Sequence, residues 1–217
     1  MSSFSRSPRT IRGGIVLLDP STGAVLRIVA FQYNPETLTR TLAPQHASPQ
    51  EGSRVIGTRY RAPAVETLKV DVELDASDLL EEGDASAAEN GIHPQIAALE
   101  ALVQPLSADL RGADALSSQG ALEILAPKAA LAVFVFGRAR VVPVKVTDMS
   151  ITEDAFDPNL NPIRARVSLG MQVLTVNDVG FSHRGGGLFL AWLESREALA
   201  GLLPPTTFAT LGITGVF

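Results

Sequence analysis

At 217 residues, 46% apolar and 19% charged, the chain has material for one buried core, and its length suits one domain. It contains no cysteine, which excludes a disulfide framework, a thiolate metal site and a cysteine nucleophile. A net charge of −5 without clustered Lys and Arg argues against a nucleic-acid binder, and no run approaches the ~18 apolar residues of a membrane span.

Residues 1–10, rich in Ser, Arg and Pro, read as a flexible arm; no apolar signal region or small-residue cleavage site is present, so a soluble protein without a cleaved export signal is expected. Residues 14–19 and 24–33 flank Asp19-Pro20-Ser21-Thr22-Gly23, where Pro in the second turn position and a closing Gly predict a hairpin with a bulge. The second of these strands is apolar on both faces, Val25, Val29, Phe31 and Tyr33 against Leu26, Ile28 and Ala30, which predicts a central strand covered twice. Asn34-Pro35 breaks it, residues 37–42 resume extended structure, and residues 43–57 form a long Pro, Gly and Ser-rich connection. Alternation returns over 65–74, with Leu68, Val70, Val72 and Leu74 facing a core and Thr67, Lys69, Asp71 and Glu73 facing water.

Residues 75–91 read as an acidic loop of small residues. After Pro94 the spacing of Ile96, Leu99, Val103 and Leu106 predicts an amphipathic helix packed on the sheet. Residues 111–127 form a polar connection, and 131–136 and 140–147 form a second hairpin in which Pro143 suggests an edge or bulge. In Asp157-Pro158-Asn159-Leu160-Asn161-Pro162 two X-Pro steps among turn-forming Asx residues make a corner. The strand it feeds has one dry face, Ile163, Ala165, Val167, Leu169, Met171 and Val173, and one wet face carrying Arg164 and Arg166. Residues 183–187 read as a glycine-rich hinge, 188–199 as a helix, and the segment from Pro204 as an apolar arm that needs another surface.

No catalytic constellation emerges. Asp154, Asp157, Asn159 and Asn161 have oxygen ligands for calcium but lack the central Gly and closing Glu of the known loop, so Asx-turn chemistry is expected there. His46, His93 and His183 share no ligand spacing, and no nucleophile elbow, phosphate loop or dinucleotide fingerprint occurs. The reading is therefore no enzyme, no catalytic residue, no cofactor and no metal; an enzyme of unrecognised type is the least favoured alternative.

Two segments, Phe31-Gln32-Tyr33-Asn34-Pro35-Glu36-Thr37-Leu38 and the stretch from Glu153 to Val167, follow each other in the order and nearly the wording of two motifs of one family. On these residues the chain resembles the tube-initiator family of contractile injection systems, the phage-tail-like particles of bacteria, over roughly residues 10 to 200. Many members of that family continue into a LysM module after the last helix, which is not expected within these 217 residues.

The resemblance implies a mainly β (α+β) tail-tube-like fold: two sheets in a partly open β-barrel with a packed helix and a C-terminal helix. The expected organisation is arm 1–10, β domain 11–176, and hinge, helix and arm 177–217. The implied role is structural, a homo-hexameric ring at the baseplate that joins a spike protein to the inner tube protein and touches other baseplate proteins, without nucleic acid or direct membrane insertion. An inner-tube or tube-terminating subunit is the alternative. Assembly is expected in the bacterial cytoplasm, within a particle that can then be released. The residues expected at subunit or layer contacts are Asn34, Pro35, Glu36, Asp157, Pro158, Asn161, Pro162, Arg164 and Arg166, with Lys69, Asp71 and Glu73 on a face toward the lumen or an interface. Residues 43–57 and the C-terminal arm are assigned to baseplate partners.

Overall fold

The computed structural model describes residues 11–47, 59–118 and 129–216, so the expected arm 1–10 and most of the expected connections at 43–57 and 111–127 lie outside the described residues. Its strands are β1 (Gly14–Leu18), β2 (Val25–Ala30), β3 (Leu38–His46), β4 (Tyr60–Asp75), β5 (Leu131–Val135), β6 (Val141–Phe156) and β7 (Pro162–Val173). All seven join one antiparallel sheet in the order β2-β1-β5-β6-β7-β4-β3. The class is mainly β within α+β, as expected, and the sheet does not close.

The long middle of the sheet follows directly from alternation. Leu68, Val70, Val72 and Leu74 of β4 lie beside Ala165, Val167, Leu169, Met171 and Val173 of β7, all buried, because residues two apart share a face. The two layers expected from the resemblance are two halves of this single curled sheet. Ile15, Val29, Phe31 and Phe134 from one end occupy the same core cluster as Val70 and Val72 from the other. Gln32 bridges the gap: its side chain donates to the Asp75 carbonyl at 2.6 Å and accepts from the Asp75 amide at 3.0 Å, imitating the missing strand pair.

The hairpin between β1 and β2 forms as read from its turn. Asp19 Oδ1 accepts from the amides of Ser21 and Thr22 at 2.9 and 2.7 Å, and Gly23 takes a positive φ of 73° that a side chain would resist. The expected central position of β2 is overturned. It is a border strand, with Val25, Leu26 and Ile28 each more than half exposed. An apolar strand reads the same whether its second face is covered by its own chain or left for another.

Residues 75–91, expected as loop, contain two short helices, α1 (Ser77–Glu81) and α2 (Ala85–Asn90); Asp84 caps the second by accepting from the Ala87 amide at 2.8 Å. Their small residues give no apolar period, so only the cap signals them. The helix after Pro94 is α3 (His93–Glu100), which buries Ile96 and Leu99 but ends before Val103 and Leu106, both exposed. A further helix, α4 (Ser107–Ser118), begins before the polar connection expected at 111–127 and runs into it. Pro143 sits in an interior strand, not on a border. It is tolerated because it sits at the end of the β6–β7 pairing, where the bond present, from the Leu174 amide to the Pro143 carbonyl at 2.8 Å, needs no N–H from the proline.

After β7 come α5 (Val176–Val179) and α6 (Arg184–Ala200). The glycines expected as a hinge form the first turn of α6, which His183 caps through Nδ1 from the Gly185 amide at 3.0 Å. A Cβ on Gly186 would collide with the Gly180 carbonyl oxygen, so glycine allows α6 to approach this closely. Farther along, Trp192 is stacked by Arg196 at 4.7 Å and approached by Arg40 of β3 at 5.9 Å. Arg40 Nε donates to the buried Glu66 carboxylate at 2.6 Å; its Nη2, 2.5 Å away, is off the hydrogen-bonding direction. The Gln32 bridge yields a direct prediction. Gln32→Ala removes both bonds to Asp75 and should lower unfolding stability by about 1–3 kcal/mol in urea titration; an unchanged midpoint would show that the two halves hold together without it.

Candidate assembly surface

The polar face of the sheet is built by register. Across β4, β7 and β6 the rungs run Asp75, Arg164, Asp154, then Glu73, Arg166, Thr152, then Asp71, Ser168, Ser150. Arg164 reaches Asp75 Oδ2 through Nε and Nη2, both at 2.9 Å, and Arg166 reaches Glu73 Oε1 at 3.0 Å. Both members of the second pair are about two-thirds exposed, so the pairs contribute little stability, about 0–1 kcal/mol each. Hydrogen bonding by Ser77, more than the Arg164 guanidinium, holds the Asp75 carboxyl below the usual carboxylate range. Lys69 lies one rung beyond Asp71, beside Gly170; the missing side chain at Gly170 leaves space that the Asp148 carboxylate fills.

The segment from Phe31 to Leu38 crosses from one border of the sheet to the other and lands on this face. Its Pro35, Glu36 and Thr37 line a hollow of about 280 Å³ together with Asp71, Glu73 and Arg166. Tyr33 borders both this hollow and an adjoining one of about 400 Å³ that holds Asp75, Asp154 and Arg164. Burial first, then the nearby Asp78 and Asp75 carboxylates, raise the Tyr33 phenol above its ordinary value. Asn34 faces inward along the chain. Its Oδ1 accepts from the Gly13 amide at 2.8 Å and its Nδ2 donates to the Ile11 carbonyl at 2.9 Å, tying down the approach to β1.

The corner between β6 and β7 is held by its own Asx chemistry. Asp157 Oδ1 accepts from the amides of Asn159 and Asn161 at 2.7 and 2.8 Å, and Oδ2 accepts from Asn161 Nδ2 at 2.9 Å. These bonds, Asn161's first, hold the Asp157 carboxyl below its ordinary range and occupy the oxygens that a calcium ion would need. Ala155 and Leu160 adopt left-handed backbone, with φ of 57° and 66°. The corner also docks on the chain's own helices: Asn161 Nδ2 donates to the Glu89 carbonyl at 3.0 Å and the Ile92 amide to the Pro162 carbonyl at 2.9 Å.

The structure thus brings together Pro35, Glu36, Asp71, Glu73, Arg164 and Arg166, with Lys69 farther along the same face. Asn34, Asp157, Asn161 and the buried Pro162 are engaged within the chain, and Pro158 stands at the exposed tip beside Leu160, which is 77% exposed. Two groups escaped the sequence reading: Leu160, hidden in a turn motif, and the uncovered Val25, Leu26 and Ile28 of β2. Among the described residues no three His, Asp or Glu side chains are grouped to hold a metal, and no helix is long and apolar enough to cross a membrane. His46 stacks on Tyr60 with ring centres 5.3 Å apart, and His93 opens α3, far in sequence from the His183 cap.

No family model matches the chain, and no curated protein matches it in sequence. Among solved structures it is similar to a chain described as the tail of an empty GTA particle computed with helical refinement and C6 symmetry. The identity is 11% and the TM-score 0.29, over 74% of this chain and 90% of that one. A likeness that loose decides nothing about this chain.

The corner carries a pH signature. A carboxyl depressed in the folded state contributes stability above its unfolded value, about 3.9, and loses it as pH falls through the lower folded value. Asp157→Ala should therefore lower Tm at neutral pH, with the gap from the parent protein constant above about pH 5 and shrinking below about pH 4. A gap that persists undiminished to strong acid in thermal scans would contradict this role for Asp157.

Proposed function

We propose that this chain is a structural subunit whose copies close into a ring, serving as the tube initiator of a contractile injection system. The observation that carries the reading is a sheet whose border strands, β2 and β3, each have one partner among the described residues, and of these β2 exposes Val25, Leu26 and Ile28. An apolar border with free backbone groups is an aggregation hazard unless another strand completes it, and a closed ring supplies one from the next copy. Joining β2 of each copy to β3 of its neighbour makes a continuous cylinder, and the polar rungs of β4, β6 and β7 then face a water-filled lumen. An obligate interface of this kind buries on the order of 2,000 Å² or more.

Six copies, a spike below, an inner tube above and further baseplate proteins around the ring follow from the two sequence motifs that resemble the family. In this role the chain works by geometry. A preformed circle supplies the arrangement that the first tube layer would otherwise have to find by chance, and no turnover is involved. Assembly takes place in the bacterial cytoplasm, before any release of the particle. Pro35, Glu36, Arg164 and Arg166 are assigned to layer or subunit contacts, with Leu160 and Pro158 presented at the tip. Asn34, Asp157, Asn161 and Pro162 act on those contacts indirectly, by holding the two motifs in shape.

Light scattering and electron microscopy of the purified protein test the reading. The parent chain should form closed rings, whereas Leu26→Lys with Ile28→Lys should remain folded by circular dichroism and stay monomeric. A parent chain that is monomeric at every concentration, alone and with a spike protein, would overturn it; long tubes formed by the chain alone would assign it instead to the inner tube.

A further inference from the structure

Where α6 meets β3, three guanidinium groups gather around a single buried carboxylate. Arg40 opposes Leu68 across β3 and β4, and Glu66 stands two residues before Leu68, so both side chains turn to the dry face of the sheet. Glu66 is 3% exposed, and Arg40 is its ion-pair partner. From α6, Trp192 brings its ring to 5.9 Å from the Arg40 guanidinium, and Arg196 lies against the same ring at 4.7 Å. Arg140, just before β6, lies over the Phe136 ring at 5.8 Å. Its electrostatics place it with the others. Burial first, then the nearby Arg40 guanidinium, lower Arg140 from the ordinary arginine value; Arg196 adds to this, and Glu66 offsets only part of it.

One carboxylate cannot balance three cations, and the group is left with an excess of two positive charges. Among the described residues neither Arg140 nor Arg196 makes an ion pair, although Glu194 and Glu197 lie on the same helix as Arg196. Even the paired Arg40 keeps a donor, Nη2, without an acceptor. Charge drawn partly out of water is costly unless an opposite charge with hydrogen-bond acceptors accompanies it. The buried Arg40 Nη2 acts here through its charge alone. The half-buried Arg140 and Arg196 retain contact with solvent, so their donors are the ones an arriving group can meet. Each is held by an aromatic ring, which keeps a planar fork of N–H groups in place before anything binds.

We propose that Arg140 and Arg196, reinforced by the charge of Arg40, bind a compact oxyanion: a carboxylate or phosphate compound carrying two or more negative charges. Arginine forks match the paired oxygens of both groups. The site lies within one chain, so it stands or falls independently of the ring.

Trp192 is the only tryptophan in the chain, and its emission therefore reports on this place without background. Citrate and pyrophosphate are titrated separately into the full chain at neutral pH, with ionic strength held constant by sodium chloride, and Tm is followed in parallel. The expected result is a saturable change in emission and a rise in Tm with at least one of the two anions. Arg140→Gln and Arg196→Gln each remove charge-assisted hydrogen bonds and should raise the half-saturation concentration about tenfold or more. Arg184→Gln, at the opposite end of α6, should leave it unchanged. Circular dichroism verifies folding of each variant. Because Arg196→Gln also alters the surroundings of Trp192 directly, its affinity is read from Tm. Tighter binding of citrate supports the site and assigns it to acidic groups; tighter binding of pyrophosphate supports it and assigns it to phosphates. No saturable response in either measurement overturns the inference. So does a response that survives in both Arg140→Gln and Arg196→Gln, or one that Arg184→Gln weakens equally, which would trace it to general positive charge.

Discussion

The pairing of β4 with β7 governs the rest of the molecule, because a slip of one residue would exchange the dry and wet faces along the whole length of both strands. In the observed register Val72 opposes Val167 and Val70 opposes Leu169 inside, while Glu73 opposes Arg166 outside. The inner side contributes the energy. Each fully buried Val, Leu or Met side chain is worth about 1.5–3 kcal/mol, against at most about 1 kcal/mol for an exposed ion pair. The outer pairs therefore do not hold the strands together. They occupy positions that burial has already set, and their contribution is to give the wet face an ordered pattern of alternating charge.

The register is pinned at both approaches to that wet face by the two sequence motifs, and this explains their composition better than direct contact with a partner does. At the corner, Asp157 and Asn161 spend their polar atoms on the turn and on the Glu89 carbonyl, and Gly91 at φ 56° leaves room for Pro162, whose carbonyl oxygen a Cβ there would strike. At the crossing segment, Gln32 closes on Asp75 and Asn34 on Ile11 and Gly13. Each motif also leaves a few side chains outward, Pro35 and Glu36 in one, Arg164 and Arg166 in the other. A motif of this kind can persist for shape while its exposed members carry the interaction.

What was legible in the sequence was whatever follows from alternation or turn chemistry. The dry and wet faces of β4 and β7, the Asp19 to Gly23 turn and the corner at Asp157 belong to that class, as does the Pro94 helix start. The border position of β2 was not legible, since Val25, Leu26 and Ile28 carry the same apolar signal whether covered by their own chain or left open. Helices α1 and α2 lacked an apolar stripe to announce them, and for α4 the spacing of Leu106, Leu110 and Ala113 was lost among polar residues and Gly112. The glycines at 185–187 pointed to a hinge because only the packed structure reveals the Gly180 carbonyl that excludes a side chain. In the candidate surface, the residue types were legible; the division of Asn34 and Asn161 from Glu36 and Arg166, shape from contact, depended on hydrogen bonds across more than twenty residues of sequence or with the chain's own helices.

Stability and association are assigned to different parts of the sheet. β7 is long, paired with β4 and β6 and buried on one face, so its backbone groups and apolar side chains are satisfied within the chain, whereas β5 accompanies β6 only over Val141–Val144. Among the described residues β2 and β3 have one partner each, and β2 in addition leaves Val25, Leu26 and Ile28 in water. A substitution in the middle acts on folding first and on assembly only as a consequence, whereas one at a border can abolish assembly and leave the fold intact. In the proposed ring that separation suits a subunit that is stable before it meets its copies: the wet face is already ordered in the single chain, and joining the borders would extend it without rearranging the strands that form it.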